Sequence, residues 1–443
     1  MSTRTADTVA AALAQGAARH GAEPFLVAET PEGGQQVLSW ADMDARATRT
    51  ARLLRSLGLR TGDRFNAHTG NCPEFYDLWF GAARLGAVLV PSDPLHTPDE
   101  LGYLLARSRC HVTVVQAALR ETAARACLQA PDCRHLLVIG GQGADAFHTA
   151  RDAQSGAPWD AERDGTGPRP HDLLGVLHAA SGSGPAEEVP LSHAAYLGAG
   201  RNIAGRLRMR PEDRQLIVLP LFRGNSQQYA SMSALVSGGS IALTPGFTAE
   251  RWAGQAAALR ATLAGLLPAP LCMLLAREES VWDTAHGLRA VIATQKVSEE
   301  RITLFEKRFQ VSLLQLYGMQ ETVAPVLASA QARRRKRERG APAGRAPGGG
   351  AGPDGSRRPG DRLGPLAPLP PRAAPVRGRS PGRGEPESPG PKAYRRPPIA
   401  RPRADRVPGR SCEIRSAEFR ADLLSSLRAA GFRRPVNECA EAE

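Results

Sequence analysis

Residues 71–94 read NCPEFYDLWFGAARLGAVLVPSDP. Pro73 suits a first helical turn, where its missing N–H would have had no intrahelical partner. The residues after it repeat at helical spacing, so the stretch predicts a helix from Pro73 to about Leu85. Ala87–Asp93 (AVLVPSD) then reads as a short apolar strand ended by Pro91. Upstream, residues 40–57 (WADMDARATRTARLLRSL) and about 6–19 place apolar residues at amphipathic-helix intervals, and Gly58 and Gly62 punctuate the chain before an extended run at Arg64–Asn66. Downstream, a helix over Asp99–Arg107 leads into the strand HVTVV, ending at Val115. Strand and helix alternate again from Asp172 to Leu316, with apolar strands LLGVLHAA, QLIVLP, SIALTP, AVIA and VSLLQLY. Such alternation predicts an α/β domain with helix-covered, mostly parallel sheets.

The net charge of +13 over 443 residues belongs to one segment. Residues 1–330 carry 31 Lys+Arg against 32 Asp+Glu, residues 331–410 carry 21 against 6, and residues 411–443 carry 5 against 6. The basic segment begins QARRRKRERG and holds 17 Pro and 14 Gly, with Tyr394 as its one aromatic residue. A chain of that composition cannot bury enough apolar surface to offset its entropy, so 331–410 is expected to be disordered, followed by a short tail with a helix at about 416–429. Arginine runs attract phosphates, but no aromatic residues interleave this one as stacking platforms, so nucleic acid is not the expected partner. No apolar run is long enough to span a membrane. The N-terminus shows helical spacing without a signal-peptide core, and seven cysteines lie scattered without metal-ligand spacing. A reduced cytoplasmic protein is expected.

Three further stretches carry chemistry. Ala180–His193 reads ASGSGPAEEVPLSH, Leu219–Trp252 reads LPLFRGNSQQYASMSALVSGGSIALTPGFTAERW, and Tyr317–Glu321 reads YGMQE. Together with the run LSWADMDARATRTARLLRSLGLRTGDRF, they resemble the large N-terminal domain of adenylate-forming enzymes. That family includes acyl-CoA and aryl-CoA synthetases, luciferases and peptide-synthetase adenylation domains. The acyl-binding stretch is most similar to crotonobetaine/carnitine–CoA-ligase-like members.

The resemblance assigns 1–330 as an AMP-binding domain. It implies activation of a small carboxylic acid by ATP as an acyl-adenylate, then transfer to coenzyme A, with Mg2+ as cofactor. Small residues and glycines let backbone N–H groups face phosphate oxygens, a character that Ser181, Gly182, Ser183 and Gly184 retain; SGSG equally reads as a surface turn. Glu321 matches the magnesium-coordinating Glu, Gln320 stands where a Thr meets metal or phosphate, and Tyr317, followed by Gly318, matches the residue near adenine. Phe222, Arg223 and Gln228 fall in the acyl pocket.

Departures from the family pattern predict impaired catalysis. The phosphate loop is one residue short, Glu187 stands at the Lys position, and Glu188 replaces the next glycine; two carboxylates beside a triphosphate repel it. Arg223 replaces a His and either pairs with an acidic acyl group or rims the cleft. Ala293–Glu300 (ATQKVSEE) lacks the glycine that permits close backbone approach to adenine. Beyond Thr322 neither the ribose-binding Thr-Gly-Asp nor the hinge Asp nor the catalytic Lys of the family is found, and the switch in composition is the one expected of a frameshift near Ala328–Arg333, with a basic disordered tail that evolved for binding as the rival explanation. A divergent but working ligase, and a non-catalytic binder acting through the basic tail, remain as alternatives. Oligomeric state is not legible.

Overall fold

The computed structural model describes residues 6–179 and 187–318, together with 322, 323, 325, 327 and 328. The expected segments 331–410 and 411–443 lie outside the described residues. Fourteen strands occur among those described: β1 (Pro24–Glu29), β2 (Gln35–Ser39), β3 (Arg64–His68), β4 (Val88–Pro91), β5 (Val112–Gln116), β6 (His135–Ile139), β7 (Leu173–Ala179), β8 (Glu187–Ser192), β9 (Arg214–Ile217), β10 (Ser240–Leu243), β11 (Leu263–Leu266), β12 (Ala290–Thr294), β13 (Ser312–Tyr317) and β14 (Leu327–Ala328). They form an eight-stranded sheet in the order β14-β13-β12-β11-β9-β10-β1-β2 and a six-stranded sheet in the order β6-β5-β3-β4-β7-β8. Every neighbouring pair is parallel except three at sheet edges, β1 with β2, β13 with β14, and β7 with β8. The α/β, helix-covered, mostly parallel architecture expected from the sequence is present.

Parallel strands are buried on both faces, and consecutive residues therefore enter different cores. Leu26 and Val27 of β1 do so, as do Ile241 and Ala242 of β10, and Leu89 and Val90 of β4. Between the sheets lie the helices Val9–His20, Trp40–Ser56, Pro73–Leu85 and His193–Leu207. Their Leu13, Trp40, Trp79 and Tyr196 share one core with Phe25 of the larger sheet and Phe65 of the smaller. Trp252, Leu271 and Phe305 cover the outer face of the larger sheet, and Leu101 and Ala123 cover that of the smaller. The result is five layers, helix–sheet–helix–sheet–helix.

Local sequence sets the helix ends. Ser39 with Asp42, and Thr97 with Glu100, form reciprocal capping boxes that satisfy first-turn N–H groups. Helix Pro73–Leu85 starts on its proline and stops at Gly86, whose φ of +81° is costly for any residue with a side chain. In the middle layer a β-carbon at Gly81 would stand 2.7 Å from Thr50 Cγ2, so glycine there sets how closely two helices approach. Asp77, buried in the same layer, accepts from Arg46 Nε at 2.8 Å and Arg151 Nη1 at 2.6 Å.

Candidate active site

Parallel strands point their carboxyl ends the same way, and open α/β sheets bind ligands outside that edge. Here a single side chain ties the two sheets together at it. Asn71 follows β3; its Nδ2 donates to the carbonyls of Leu219 and Thr244, both at 3.1 Å, and its Oδ1 accepts from Leu221 N at 2.8 Å. Leu219 follows β9 and Thr244 follows β10, so the carboxyl edges of both sheets meet. Beside this junction a cavity of about 20 Å³, room for a single water, is lined by Asn71, Phe222, Pro220 and Gly246 among others.

The acyl-pocket candidates fall at the same edge. Phe222 and Arg223 follow β9; Phe222 is buried, and the Arg223 guanidinium lies over its ring, 5.0 Å from the centroid. Gln228 lies in a π-helical turn, Asn225–Ser231, a form of helix common at functional sites. Its neighbour Gln227 is consumed structurally, accepting from Tyr196 Oη at 2.7 Å and donating to the Leu221 carbonyl at 2.7 Å. Gln228 is 1 % exposed, and its Nε2 donates to nothing among the described residues.

Asn225 of the same turn reaches Thr294 Oγ1, at the end of β12, at 2.9 Å. Gln295 follows with a φ of +79°, a left-handed conformation that favours glycine, and its N–H donates to the Leu316 carbonyl at 2.9 Å. The stretch expected to depart from the family's glycine turn thus takes a glycine-like conformation at Gln295. Tyr317, the last residue of β13, is 45 % exposed and leaves a ring open beside Gly318.

Ser181, Gly182, Ser183, Gly184, Gln320 and Glu321 lie outside the described residues. The foot of the phosphate-loop candidate is described, and it alters one expectation. Ala179 of β7 pairs with Glu187 of β8, and the next residue, Glu188, accepts from Arg64 Nη1 at 3.0 Å and from Ser108 Oγ at 3.0 Å. Its carboxylate is neutralised by Arg64, so of the two expected repulsive charges only the exposed Glu187 remains.

Sequence reasoning missed a polar group at the ends of β3 and β4. Asn66 Nδ2 donates to Ser92 Oγ at 3.0 Å and to the Val90 carbonyl at 2.8 Å, and Ser92 Oγ lies 2.9 Å from His68 Nδ1. Ser92 Oγ thus bridges Asn66 and His68, and Nε2 is the other ring nitrogen of that imidazole. That nitrogen has no partner among the described residues, and burial, then the charge of nearby His96, holds the ring neutral with a pKa of about 4. His96 is itself lowered by burial, with Arg223 adding to the effect, which places Arg223 in electrostatic reach of the group. The available signal was polar residues interrupting apolar strands, Asn66 and His68 in FNAH and Ser92 in VPSD.

Among the described residues no group of three or more His, Cys, Asp or Glu is arranged to hold a metal, and no helix is long and apolar enough to cross a membrane. The sequence matches the family described as AMP-binding enzyme over residues 13–348. Crotonobetaine/carnitine–CoA ligase of Escherichia coli O45:K1 (strain S88 / ExPEC) is 28% identical over 314 residues, covering 70% of this chain and 60% of that protein. The chain thus spans about 60% of the length of the curated relatives it matches. In fold it is similar to the anthranilate CoA ligase AuaEII in complex with anthranoyl-AMP, with a TM-score of 0.66 at 18% identity over 72% of this chain and 60% of that one. It is similar also to the N-terminal domain of FACL13 from Mycobacterium tuberculosis, with a TM-score of 0.64 at 21% identity over 73% of this chain and 79% of that one.

Proposed function

The chain belongs to the AMP-binding enzyme family, and from that membership we propose that it activates a small carboxylic acid with ATP as an acyl-adenylate destined for coenzyme A, at a reduced rate. The observation that supports this most is the edge laced by Asn71, around which Phe222, Arg223, Gln228 and Tyr317 are distributed. In this reading Ser181, Gly182, Ser183 and Gly184 direct backbone N–H groups at phosphate oxygens, and Glu321 with Gln320 holds Mg2+. Tyr317 and Gly318 flank the base, while Phe222, Arg223 and Gln228 surround the acid. MgATP, when bound there, would supply the α-phosphorus that the carboxylate attacks, with the α–β phosphoanhydride bond breaking and pyrophosphate leaving. Gln228 Nε2, which has no partner among the described residues, donates to an acceptor atom of the acid, and Asn71 holds the two sheet edges in register beneath it.

The reduced rate rests on Glu187, an exposed carboxylate at the mouth of the hairpin where the family pattern has a lysine. Coulomb repulsion between a carboxylate and a polyphosphate is of order 1 kcal/mol per charge pair in water and rises several-fold where screening is weak. The engagement of Glu188 by Arg64 favours the alternative of a divergent ligase that works well, because it removes half of the expected repulsion.

ATP–pyrophosphate exchange across a panel of carboxylic acids, on the full chain and on Glu187→Lys, decides between them. Slow exchange with at least one acid, accelerated at least tenfold by Glu187→Lys, is the expected result. Fast exchange that the substitution leaves unchanged supports the working ligase. Silence from both proteins, with no ATP binding by calorimetry, overturns the proposal.

A further inference from the structure

A second concavity lies away from this edge. It encloses about 610 Å³ and is lined by Arg52, Arg55, Arg60, Arg163, Asp164 and Ser155, with Ser56 and Gln154 beside them. Arg52, Arg55 and Ser56 belong to the last turns of helix Trp40–Ser56, and Arg60 to the turn that precedes β3. The site is therefore at the amino end of β3, separated from His68 by the length of that strand, roughly 13 Å at 3.3 Å per residue. It owes nothing to the residues assigned to the acid or the nucleotide.

Arg52 and Arg163 hydrogen-bond one carboxylate, Arg55 Nη1 lies 3.7 Å from it, and Arg60 lines the same wall. Asp164, almost fully buried, is held well below the usual carboxylate range by its hydrogen bonds to Arg52, 3.2 Å from Nε and 2.7 Å from Nη2, with Arg163 adding a second pair at 3.2 and 2.8 Å. Arg52 spends all its donors on Asp164 and on the carbonyls of Ser155, Ala157 and Pro158. The other three do not. Arg55 uses Nη1 on the Arg163 carbonyl, Arg60 uses Nη1 on the carbonyls of Arg55 and Leu59, and Arg163 leaves Nη1 uncommitted. Each is thereby held at one end with N–H groups to spare at the other.

The acids nearby are occupied with backbone amides: Asp63 accepts from Arg60 N, and Asp160 from Glu162 N and Arg163 N. The partial negative charge of the helix C-terminus offsets about half a unit. Against Asp164, Asp63 and Asp160 the four arginines keep a net of one positive charge before that offset, in a concave wall where fields focus. Arginines free to turn outward would disperse into water, but these are tethered by their own carbonyl bonds.

We propose that this cavity is an anion site for a compact, multiply charged phosphate compound. The volume lies within the range of small-molecule sites. The lining offers guanidinium forks and hydroxyls, which match phosphate oxygens, and no aromatic side chain on which a nucleobase would stack. An inorganic diphosphate or a sugar phosphate fits that chemistry, and a nucleotide does not. The inference stands whether or not the chain adenylates an acid.

Calorimetric titration of the full chain with inorganic pyrophosphate, and separately with AMP, tests it. The expected result is saturable pyrophosphate binding that weakens at high salt, with AMP binding unaffected by changes at this site. The combined variant Arg55→Gln, Arg60→Gln and Arg163→Gln should lose roughly tenfold or more in pyrophosphate affinity, as three exposed ionic contacts together supply. Ser181→Ala with Ser183→Ala should keep it. Pyrophosphate binding that survives the arginine variant but falls in the serine variant places the anion at the nucleotide site and overturns the proposal, as does absence of binding to the unmodified chain. Should the triple variant not fold by circular dichroism, Arg60→Gln alone is read: about twofold to threefold weaker binding supports the site, and unchanged affinity removes it.

Discussion

The amino and carboxyl ends of the larger sheet treat their polar groups in opposite ways. At the amino ends Asp213, beside the start of β9, gathers Arg289 Nε at 2.8 Å and Nη2 at 2.6 Å, Thr262 Oγ1 at 2.8 Å and Arg210 N at 2.9 Å. Thr262 precedes β11 and Arg289 precedes β12, so one carboxylate stitches three parallel strands, and every oxygen lone pair has work. Burial opposes its ionisation, yet the Arg289 hydrogen bonds still hold it below the usual range. At the carboxyl ends, and at the facing end of β3, buried nitrogens have no partner among the described residues: Gln228 Nε2 and His68 Nε2. Unpaired groups occur elsewhere among the described residues too, including the indole nitrogens of Trp40, Trp79 and Trp252 and Gln255 Oε1, but those rings are retained for packing and Gln255 is held by its other end on Glu29. The difference teaches which edge the fold uses to hold itself and which it keeps open for a ligand.

The contrast breaks most visibly at Asp213. Asp213→Ala leaves the Arg289 guanidinium without its counter-ion, and removing one partner of a buried pair costs about 3–5 kcal/mol. Arg289 is 37% exposed, so the loss expected from urea denaturation is at the lower end, about 3 kcal/mol. A loss below about 1 kcal/mol would mean that the amino edge is not the fastened one. Asn71→Ala comes next. It strands two carbonyls and an N–H where the sheets meet, an expected cost of about 2 kcal/mol with exchange activity falling in step. Stability lost with activity intact would separate the junction from the proposed site.

Acid sharpens the comparison from the other side. The unfolded chain takes a proton on His68 at about pH 6.5, while the folded chain refuses it until about 4. Stability is therefore flat above 6.5 and falls as pH drops from 6.5 towards 4, by about 1–2 kcal/mol at pH 5 from this residue. His193, held to about 4 by burial, adds a similar slope. His68→Leu should flatten its share of the decline in denaturation midpoints measured between pH 7 and 5; an unaltered slope would show that His68 is not buried neutral.

Much of the fold was legible because it is written in short-range pattern. Pro73 and Gly86 bracket a helix that periodicity alone places, and AVLVP and HVTVV are apolar runs with no other home. Strand β11 was not foreseen: four residues, LAGL, with a glycine among them carry no period, and only pairing between β9 and β12 makes them a strand. The site was legible in motif and not in geometry. Nothing in SGSGPAEEV says that Glu188 turns to Arg64, a contact across 124 residues. Nothing in ATQKVSEE says that Gln295 takes a glycine's conformation, since that turn is imposed by the Leu316 carbonyl on the neighbouring strand. The π-turn escaped for the same reason, as one residue more per turn leaves helical spacing almost unchanged.

That turn yields the smallest expected effect and the most discriminating one. Gln228→Met keeps the length of the side chain and removes the amide. If Gln228 were an ordinary buried polar residue, losing it would strand a partner and cost about 1–3 kcal/mol. Its Nε2 has no partner to strand among the described residues, so the change in stability should lie within about 0.5 kcal/mol of zero, with any shift towards greater stability, because an unsatisfied donor is taken out of the interior. Acid-dependent exchange should fall about tenfold, the worth of one hydrogen bond to the acid. A site residue that destabilises the resting fold and helps only when the substrate is present departs from local consistency in the manner expected at functional positions. Should Gln228→Met instead unfold the chain as readily as Asp213→Ala, the two edges are built alike, and the orphaned amide marks a structural contact rather than a place for the acid.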